Sequence, residues 1–430
     1  MRIASSRLGQ LRLMGALALG QIIGRGALAL GLLLLVRELD AGSFGTLALA
    51  LAVVAILATL ADAGFARLLV RDAARAGLDV RSLVYELLRW RLLAVAAVAG
   101  LASSAVAVGA TPFEPGLGAL VVLYLVFESV AFGYENAAAG AERPWRFVVA
   151  QAIAAIALLG GLAALTATDS VSLSTAMAVL AGASALKVCG HLLAWRGSSA
   201  TGEPPRRRER PTTLFLQALP FLGLMILTTV YYRVGIVALY AVGGATETAS
   251  YAAAIRLVDV VGVAVSVGFL GISPTLSRMH RDRPEQIWVT WRRMIVTVGA
   301  VALPVAAVVA IWAEPICGTL FGARYERSAA ADLRLLLPGV VLLVMQGVNA
   351  AIVFMADDHR AILKISGINL TVCVAASVVL SEIHGSRGTA VAFSLAEAFS
   401  FVTFALLIRR RHGAPRLAGA GRPSRRRPPA

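Results

Sequence analysis

Long polar stretches are what this 430-residue chain lacks. Charged residues make up 15% of it against 58% hydrophobic, and the mean hydropathy is +0.79, which excludes a soluble globular domain. Cysteine is nearly absent. Cys189, Cys317 and Cys373 fall in or beside apolar runs without metal-like spacing, so they are expected as small packing residues rather than a disulfide framework or a ligand set. The five histidines sit mostly at the ends of apolar runs. A glycine-rich phosphate loop, a nucleophile elbow and a His-Glu zinc pattern are all missing, so no catalytic residue, metal or cofactor is expected. Acidic residues are few as well, 24 against 40 Lys and Arg, for a net charge of +16. That excess invites a nucleic-acid reading, which the placement of the charges excludes.

What the chain has instead is twelve apolar runs, each near the roughly 20 residues needed to cross a bilayer core. They cover 13–36, 44–65, 90–110, 117–140, 145–166, 172–195, 214–241, 248–275, 292–313, 334–356, 361–381 and 388–408. The basic residues alternate between the two sides these runs define. One side holds the N-terminus, the loops Arg67 to Arg91, Arg143 and Arg146, Arg196 to Arg210, Arg278 to Arg293, Arg360 with Lys364, and the tail from Arg409. The other holds only Arg37, Arg324, Arg327, Arg334 and Arg387. By the positive-inside rule the rich side is cytoplasmic, both termini lie inside and the number of spans is even. The first run is too long for a signal sequence and is read as an uncleaved span.

The polar run RGSSATGEPPRRRERP divides the chain into an N-terminal six-helix lobe, 1–195, a cytoplasmic linker, 196–211, and a C-terminal six-helix lobe, 212–411. A basic tail, 412–430, has no apolar pattern and is expected to be disordered. The expected fold is an all-α polytopic membrane protein, twelve transmembrane helices in two six-helix lobes around a central cavity. The basic segment from Phe65 to Arg91 mixes arginine with apolar residues at helical spacing and reads as an interfacial amphipathic helix whose arginines meet lipid headgroups. Loops on the opposite side are short, the longest running from Glu314 to Leu333, which leaves little room for a membrane glycan polymerase or ligase.

Four basic residues fall inside spans, where a charge costs about 2.5–3.5 kcal/mol on insertion scales and marks a function. Arg25, near the middle of the first span, either lines a hydrated cavity as a phosphate or sugar contact or is neutralised by an acid on another span. Arg256 either has a cavity role or forms a self-neutralising pair with Asp259, which follows at i+3 on the same face of its own span. Arg233, beside Tyr231 and Tyr232, either contacts substrate or snorkels to the outer interface, and Lys187 is expected to snorkel to the cytoplasmic side. Among the acids, Glu128 and Glu135 share a face beside Asn136, as sugar-hydroxyl or coupling-ion contacts or as partners for Arg25. Glu397, with Ser394 and Ser400, forms the polar stripe of the second lobe. Asp62 is expected in a structural salt bridge with Arg67.

The stretch Val36 to Arg75 resembles the first two spans of the polysaccharide-transporter flippases, a branch of the multidrug/oligosaccharidyl-lipid/polysaccharide exporter superfamily. The resemblance lies in Arg37 and Leu39, in Phe44 and Gly45 opening span two, in Asp62 and Gly64 closing it, and in Arg71, Ala74 and Arg75. SYAAAIRLVDVV, SPTLSR and LFGARYERSAAADLRLLLPG extend it into the second half. Asp40 stands where the family usually has glycine. What the resemblance implies is a flippase that carries an oligosaccharide on undecaprenyl pyrophosphate from the cytoplasmic to the outer leaflet of a bacterial inner membrane. Its expected partners are that polyprenyl-pyrophosphate-linked oligosaccharide, membrane lipids and the polysaccharide polymerase and glycosyltransferases of the same route, with no nucleic acid. Arginine suits the task, because its guanidinium stays charged and grips phosphate with two bonds. Arg25, Arg256 and Arg233 are the expected pyrophosphate contacts. The rival readings are a multidrug exporter of the same superfamily, whose cavity should be acidic or aromatic rather than basic, a glycan polymerase or ligase, and a scaffold protein.

Overall fold

The computed structural model describes residues 7–65, 80–140, 144–196, 211–355 and 359–412. Among them there is no strand. Helix is the required outcome, because inside hydrocarbon every backbone N–H and C=O must be satisfied within its own segment or a closed barrel. The first half forms α1 (Arg7–Glu38), α2 (Ala41–Asp62), α3 (Val80–Ala107), α4 (Pro115–Gly140), α5 (Pro144–Ala167) and α6 (Leu173–Arg196). The second half forms α7 (Pro211–Asp282), α8 (Ile287–Ile311), a short α9 (Ala313–Phe321), α10 (Glu326–Met355) and α11 (His359–His412). Ten of these are long and apolar enough to cross a membrane. Their outward faces are oily: on α8, Val296, Val301, Leu303, Val305, Val308 and Ile311 are all exposed, a surface that only lipid covers without cost.

Two helices exceed any single crossing and change direction at a glycine. α7 breaks at Gly244 (φ 74°, ψ −173°) and α11 at Gly385 (φ 58°, ψ −135°), conformations that a side chain strongly disfavours. The two bends are bonded to each other through acids. Asp332 of α10, fully buried, accepts from Ser250 Oγ at 2.7 Å and from Ser386 Oγ at 3.1 Å, while Glu247 accepts the Ser386 backbone N–H at 3.1 Å. A Cβ on Gly385 would run into the Glu247 carboxylate. Gly385→Ala is therefore expected to cost about 1–3 kcal/mol from backbone strain alone, read as earlier thermal unfolding in detergent, whereas Gly367→Ala, with open space at its Cβ, should cost nothing.

Asp40 proves to be the N-cap of α2, where its side chain accepts the Ser43 N–H at 3.0 Å. That bond holds its carboxyl below the ordinary carboxylate range. Aspartate thus supplies an acceptor that the family's usual glycine lacks. The long loop expected from Glu314 to Leu333 is mostly helical, taken up by α9 and the opening turns of α10.

The halves meet along a seam between α2 and α7. Gly45 packs against the Ala245 carbonyl near one end, Thr59 and Thr229 hydroxyls lie 3.1 Å apart further along, and Gly64 abuts the backbone of Ala218 and Leu222 near the other end. α1 and α7 scarcely touch. A continuous apolar core, including Leu35, Phe44, Leu125, Met177, Leu239, Phe321 and Leu336, joins both halves at the end that carries the α1–α2 turn. At the opposite end a separate core, with Leu276, Trp291, Ile352, Ile362 and Ile408, belongs to the second half only.

Several expectations fall elsewhere. Residues 66–79, the linker 197–210 and the tail 413–430 lie outside the described residues, and with them Arg67, Arg71, Ala74 and Arg75. Arg91, expected at the headgroups, points inward: it is buried, pairs with Asp62 at 3.2 Å and lies 5.3 Å from the centroid of the Phe132 ring. Cys317 and Cys373 are buried packing residues, as expected, but Cys189 is exposed.

Candidate functional site

The first half encloses a cavity of about 210 Å³ lined from four helices: α1 contributes Arg25, α4 contributes Tyr124, Glu128 and Glu135, α5 contributes Gln151, and α6 contributes Ser184 and Lys187. Small residues bring α1 and α5 close. Gly20 of α1 receives the Phe147 ring, and Gly24 receives the Gln151 side chain in the space a Cβ would take. That approach lets Gln151 Nε2 donate to Glu135 Oε1 at 2.7 Å.

Glu128 and Glu135 are two helical turns apart on one face of α4, about 10 Å along its axis. Lys187 reaches between them. Its Nζ lies 2.8 Å from Glu128 Oε1 and 3.2 Å from Glu135 Oε1, and Ser184 Oγ donates to Glu128 Oε2 at 2.9 Å. Lys187 is buried, so the snorkelling expected of it does not occur. The reason is energetic: two carboxylates in a low-dielectric interior need a cation more than the lysine needs the headgroup layer. Arg25, by contrast, is exposed into the cavity and forms no ion pair among the described residues. Of the two readings open for Arg25, an acid on another span is not the one realised.

The second half holds the other two arginines. The bend at Gly244 folds α7 on itself and sets Arg233 and Arg256 around one carboxylate, Asp259, at 3.5 Å and 3.1 Å. The i+3 pair of Arg256 thus forms, and a second arginine shares it, so Arg233 turns inward rather than toward an interface. Tyr124 lines the first-half cavity beside Glu128 and Lys187 and also feels the charges of Arg256 and Arg233. The charges are closer to balance than expected. The first-half cavity holds two cations and two carboxylates, and the second-half group two cations and one.

Glu397 is not part of either group. It lies buried within the second half, close to Tyr231, and Ser394 and Ser400 beside it bond to α10 and to the other arm of α11. Ser394 Oγ donates to the Leu335 carbonyl at 2.6 Å, and Ser400 Oγ accepts from Asn369 at 3.1 Å and Gln346 at 3.3 Å. Asn136, expected beside Glu135, donates to the Phe132 carbonyl of its own helix at 2.7 Å. The residues that sequence reasoning did not single out are Tyr124, Gln151 and Ser184. A lone glutamine in an otherwise apolar span was the available signal.

Comparison with known proteins shows the family and the fold. A family described as "Polysaccharide biosynthesis protein" matches residues 34–330. No curated protein matches. Among solved structures, the lipid II flippase MurJ in an inward closed conformation aligns with a TM-score of 0.73 at 10% identity, covering 91% of this chain and 87% of that one. An inward-facing multidrug resistance MATE family transporter of the MOP superfamily gives 0.68 at 14% identity, with 93% and 98% covered. The eukaryotic MATE transporter AtDTX14 gives 0.64 at 12% identity, with 93% and 96% covered. At such identities the structural likeness speaks for the fold, while the family match spans most of the chain: this protein belongs to the polysaccharide biosynthesis protein family and has the all-helical fold of the MurJ and MATE transporters.

Proposed function

We propose that this protein is a flippase, not an enzyme, that moves an oligosaccharide linked to a polyprenyl pyrophosphate from the cytoplasmic to the outer leaflet of a bacterial inner membrane. The observation that carries the reading is Arg25: a permanent cation opening into a cavity where the other cation, Lys187, is already held by two carboxylates. An unpaired charge in a membrane interior is costly to keep, and an anionic ligand is the partner that relieves the cost. Arg256 and Arg233 share a single carboxylate and so retain one positive charge for a second phosphate. Glu128, Glu135, Gln151 and Ser184 supply acceptors and donors for sugar hydroxyls.

The halves are read as two lobes of six spans. The apolar stretches Phe221–Gly262 and Ile362–Arg411, 42 and 50 residues long, each bend at a glycine and each make two crossings, which raises ten apolar helices to twelve spans. With arginine concentrated on the side of the termini, both termini are placed in the cytoplasm. The lobes would rock about the α2–α7 seam to expose the cavity alternately. A membrane potential negative inside favours outward movement of an anion by about 2.3 kcal/mol per charge per 100 mV.

A second reading, export of an organic cation, is favoured by the two carboxylates of the first-lobe cavity and by the MATE-like fold. One experiment separates the two. Deletion of the gene followed by extraction of lipid-linked glycans is expected to show a complete repeat unit accumulating on the cytoplasmic leaflet. Unchanged glycolipids, with heightened sensitivity to cationic drugs, would instead establish the second reading.

A further inference from the structure

We propose that Arg37 and Arg324 form an outer gate that a phosphate anion releases. Arg37 ends α1, and its Nε donates to the Leu320 carbonyl at 3.0 Å while its Nη2 donates to the Thr319 carbonyl. Those two carbonyls close α9, where the last turn of a helix leaves oxygens without backbone partners. In the opposite direction Arg324, just beyond α9, donates from Nη1 to the Leu39 carbonyl at 2.7 Å, one residue past the end of α1. Each half thus lends an arginine to the other's helix C-terminus, an end that carries partial negative charge and favours a cation.

The position of this clasp makes it a gate rather than a decoration of the surface. It lies on the side of the molecule opposite the basic loops, directly above the apolar core that joins the two halves, where Phe44 and Tyr325 bring their ring centroids to 6.4 Å. Opening the cavity to that side requires α1 and α9 to part, and the clasp adds three directional hydrogen bonds to the apolar contacts that join the halves there. The chemistry of the clasp makes it releasable. Arg37 and Arg324 line one cavity with Val36, Phe321, Gly322 and Ala323, both are exposed, and neither forms an ion pair among the described residues. Arg334 nearby differs, being held by Glu314 at 3.1 Å. The carbonyls leave the positive charge of both guanidinium groups unneutralised, so a phosphate reaching this cavity, with anionic oxygens and bidentate geometry, competes for the two arginines against the helix ends. The fork that spans two successive carbonyls in the closed state is the same fork that grips two phosphate oxygens. The anion chemistry and the outward orientation rest on the proposed function; the clasp itself does not.

The test uses the full chain with Cys189, Cys317 and Cys373 replaced by alanine and a single cysteine introduced as Ala154→Cys in the first-half cavity, labelled in intact cells by a membrane-impermeant maleimide. Arg37→Ala with Arg324→Ala is expected to raise the labelling rate at least fivefold, and millimolar inorganic pyrophosphate outside is expected to raise it in the parent but not further in the double variant. An unchanged rate in the double variant overturns the gate. A raised rate in the double variant with no pyrophosphate effect on the parent overturns release by the anion. Against a simple loss of folding, Arg37→Cys with Ala323→Cys replaces the clasp by a reducible bond: glycolipid export should stop when it is oxidised and return with reductant, and export that continues across the disulfide overturns the gate. Labelling needs no substrate, so a failed transport function and a failed gate give different results.

Discussion

Replacing Arg25 with alanine should reduce export of lipid-linked glycan by about 10- to 100-fold while leaving the protein as stable as before, or more so. The transport loss follows from one bidentate, charge-assisted contact worth roughly 1.5–3 kcal/mol, which is one to two decades in binding. The stability side has the opposite sign because Arg25 forms no ion pair among the described residues, so none is broken: an unpaired charge costs about 2.5–3.5 kcal/mol near a bilayer centre, and alanine removes that cost. Arg25→Lys keeps the charge but loses the fork and should fall between the two. The measurements are cytoplasmic-leaflet glycolipid accumulation and thermal unfolding in detergent, made on the same preparations. If Arg25→Ala lost stability and transport together, Arg25 would be a structural residue and the phosphate contact would be withdrawn.

Lys187→Met should do the reverse and break the fold of the first lobe. The methionine has similar length but leaves Glu128 and Glu135 facing each other without a cation, and removing one partner of a buried ion pair costs about 3–5 kcal/mol. The Glu128 side chain is 33% exposed and that of Glu135 is 13% exposed, so the lower part of that range, about 3 kcal/mol, is expected. The compensating change tests the cause. Lys187→Met combined with Glu128→Gln and Glu135→Gln removes all three charges and should recover most of the stability, because the triple replacement strands no ion. Stability that stays low in the triple variant would mean that Lys187 acts through packing rather than charge. Transport by the stable triple variant then asks a separate question, whether the two carboxylates take part in substrate contact, and a loss there with the fold intact would assign them to it.

The two predictions differ in sign because one cation of the cavity is held by carboxylates and the other is not, a difference that their places in the spans did not reveal. Arg25 sits mid-span and Lys187 eight residues from the end of its span 172–195, but neither position shows which of them an acid holds. Only packing puts Lys187 within reach of both carboxylates of α4 and leaves Arg25 without an ion pair among the described residues. The same division holds for the other charges. Arg256 and Asp259 lie one helical turn apart, so their pair was readable from spacing alone, whereas the arrival of Arg233 at the same carboxylate depends on how sharply α7 bends at Gly244. Asp62 was expected in a salt bridge from its place near a basic loop, but its pairing with Arg91 rather than a headgroup contact for that arginine required α3 to return beside α2.

By itself the sequence determined the solvent, the helical class, the run lengths and the two-sided distribution of arginine. Each of these is a sum over neighbours along the chain, and hydropathy and backbone hydrogen bonding in lipid act on such sums. The tertiary structure decided which charges are spent on one another and which remain free. A lysine was taken from the interface to the interior, Glu128 and Glu135 were both committed to it while Asn136 turned to its own helix, Glu397 was set apart from both charged groups, and Arg37 and Arg324 were committed to carbonyls of the opposite half. Those outcomes turn on ångström distances between helices far apart in the chain, set by where small residues such as Gly24 and Gly45 let backbones approach.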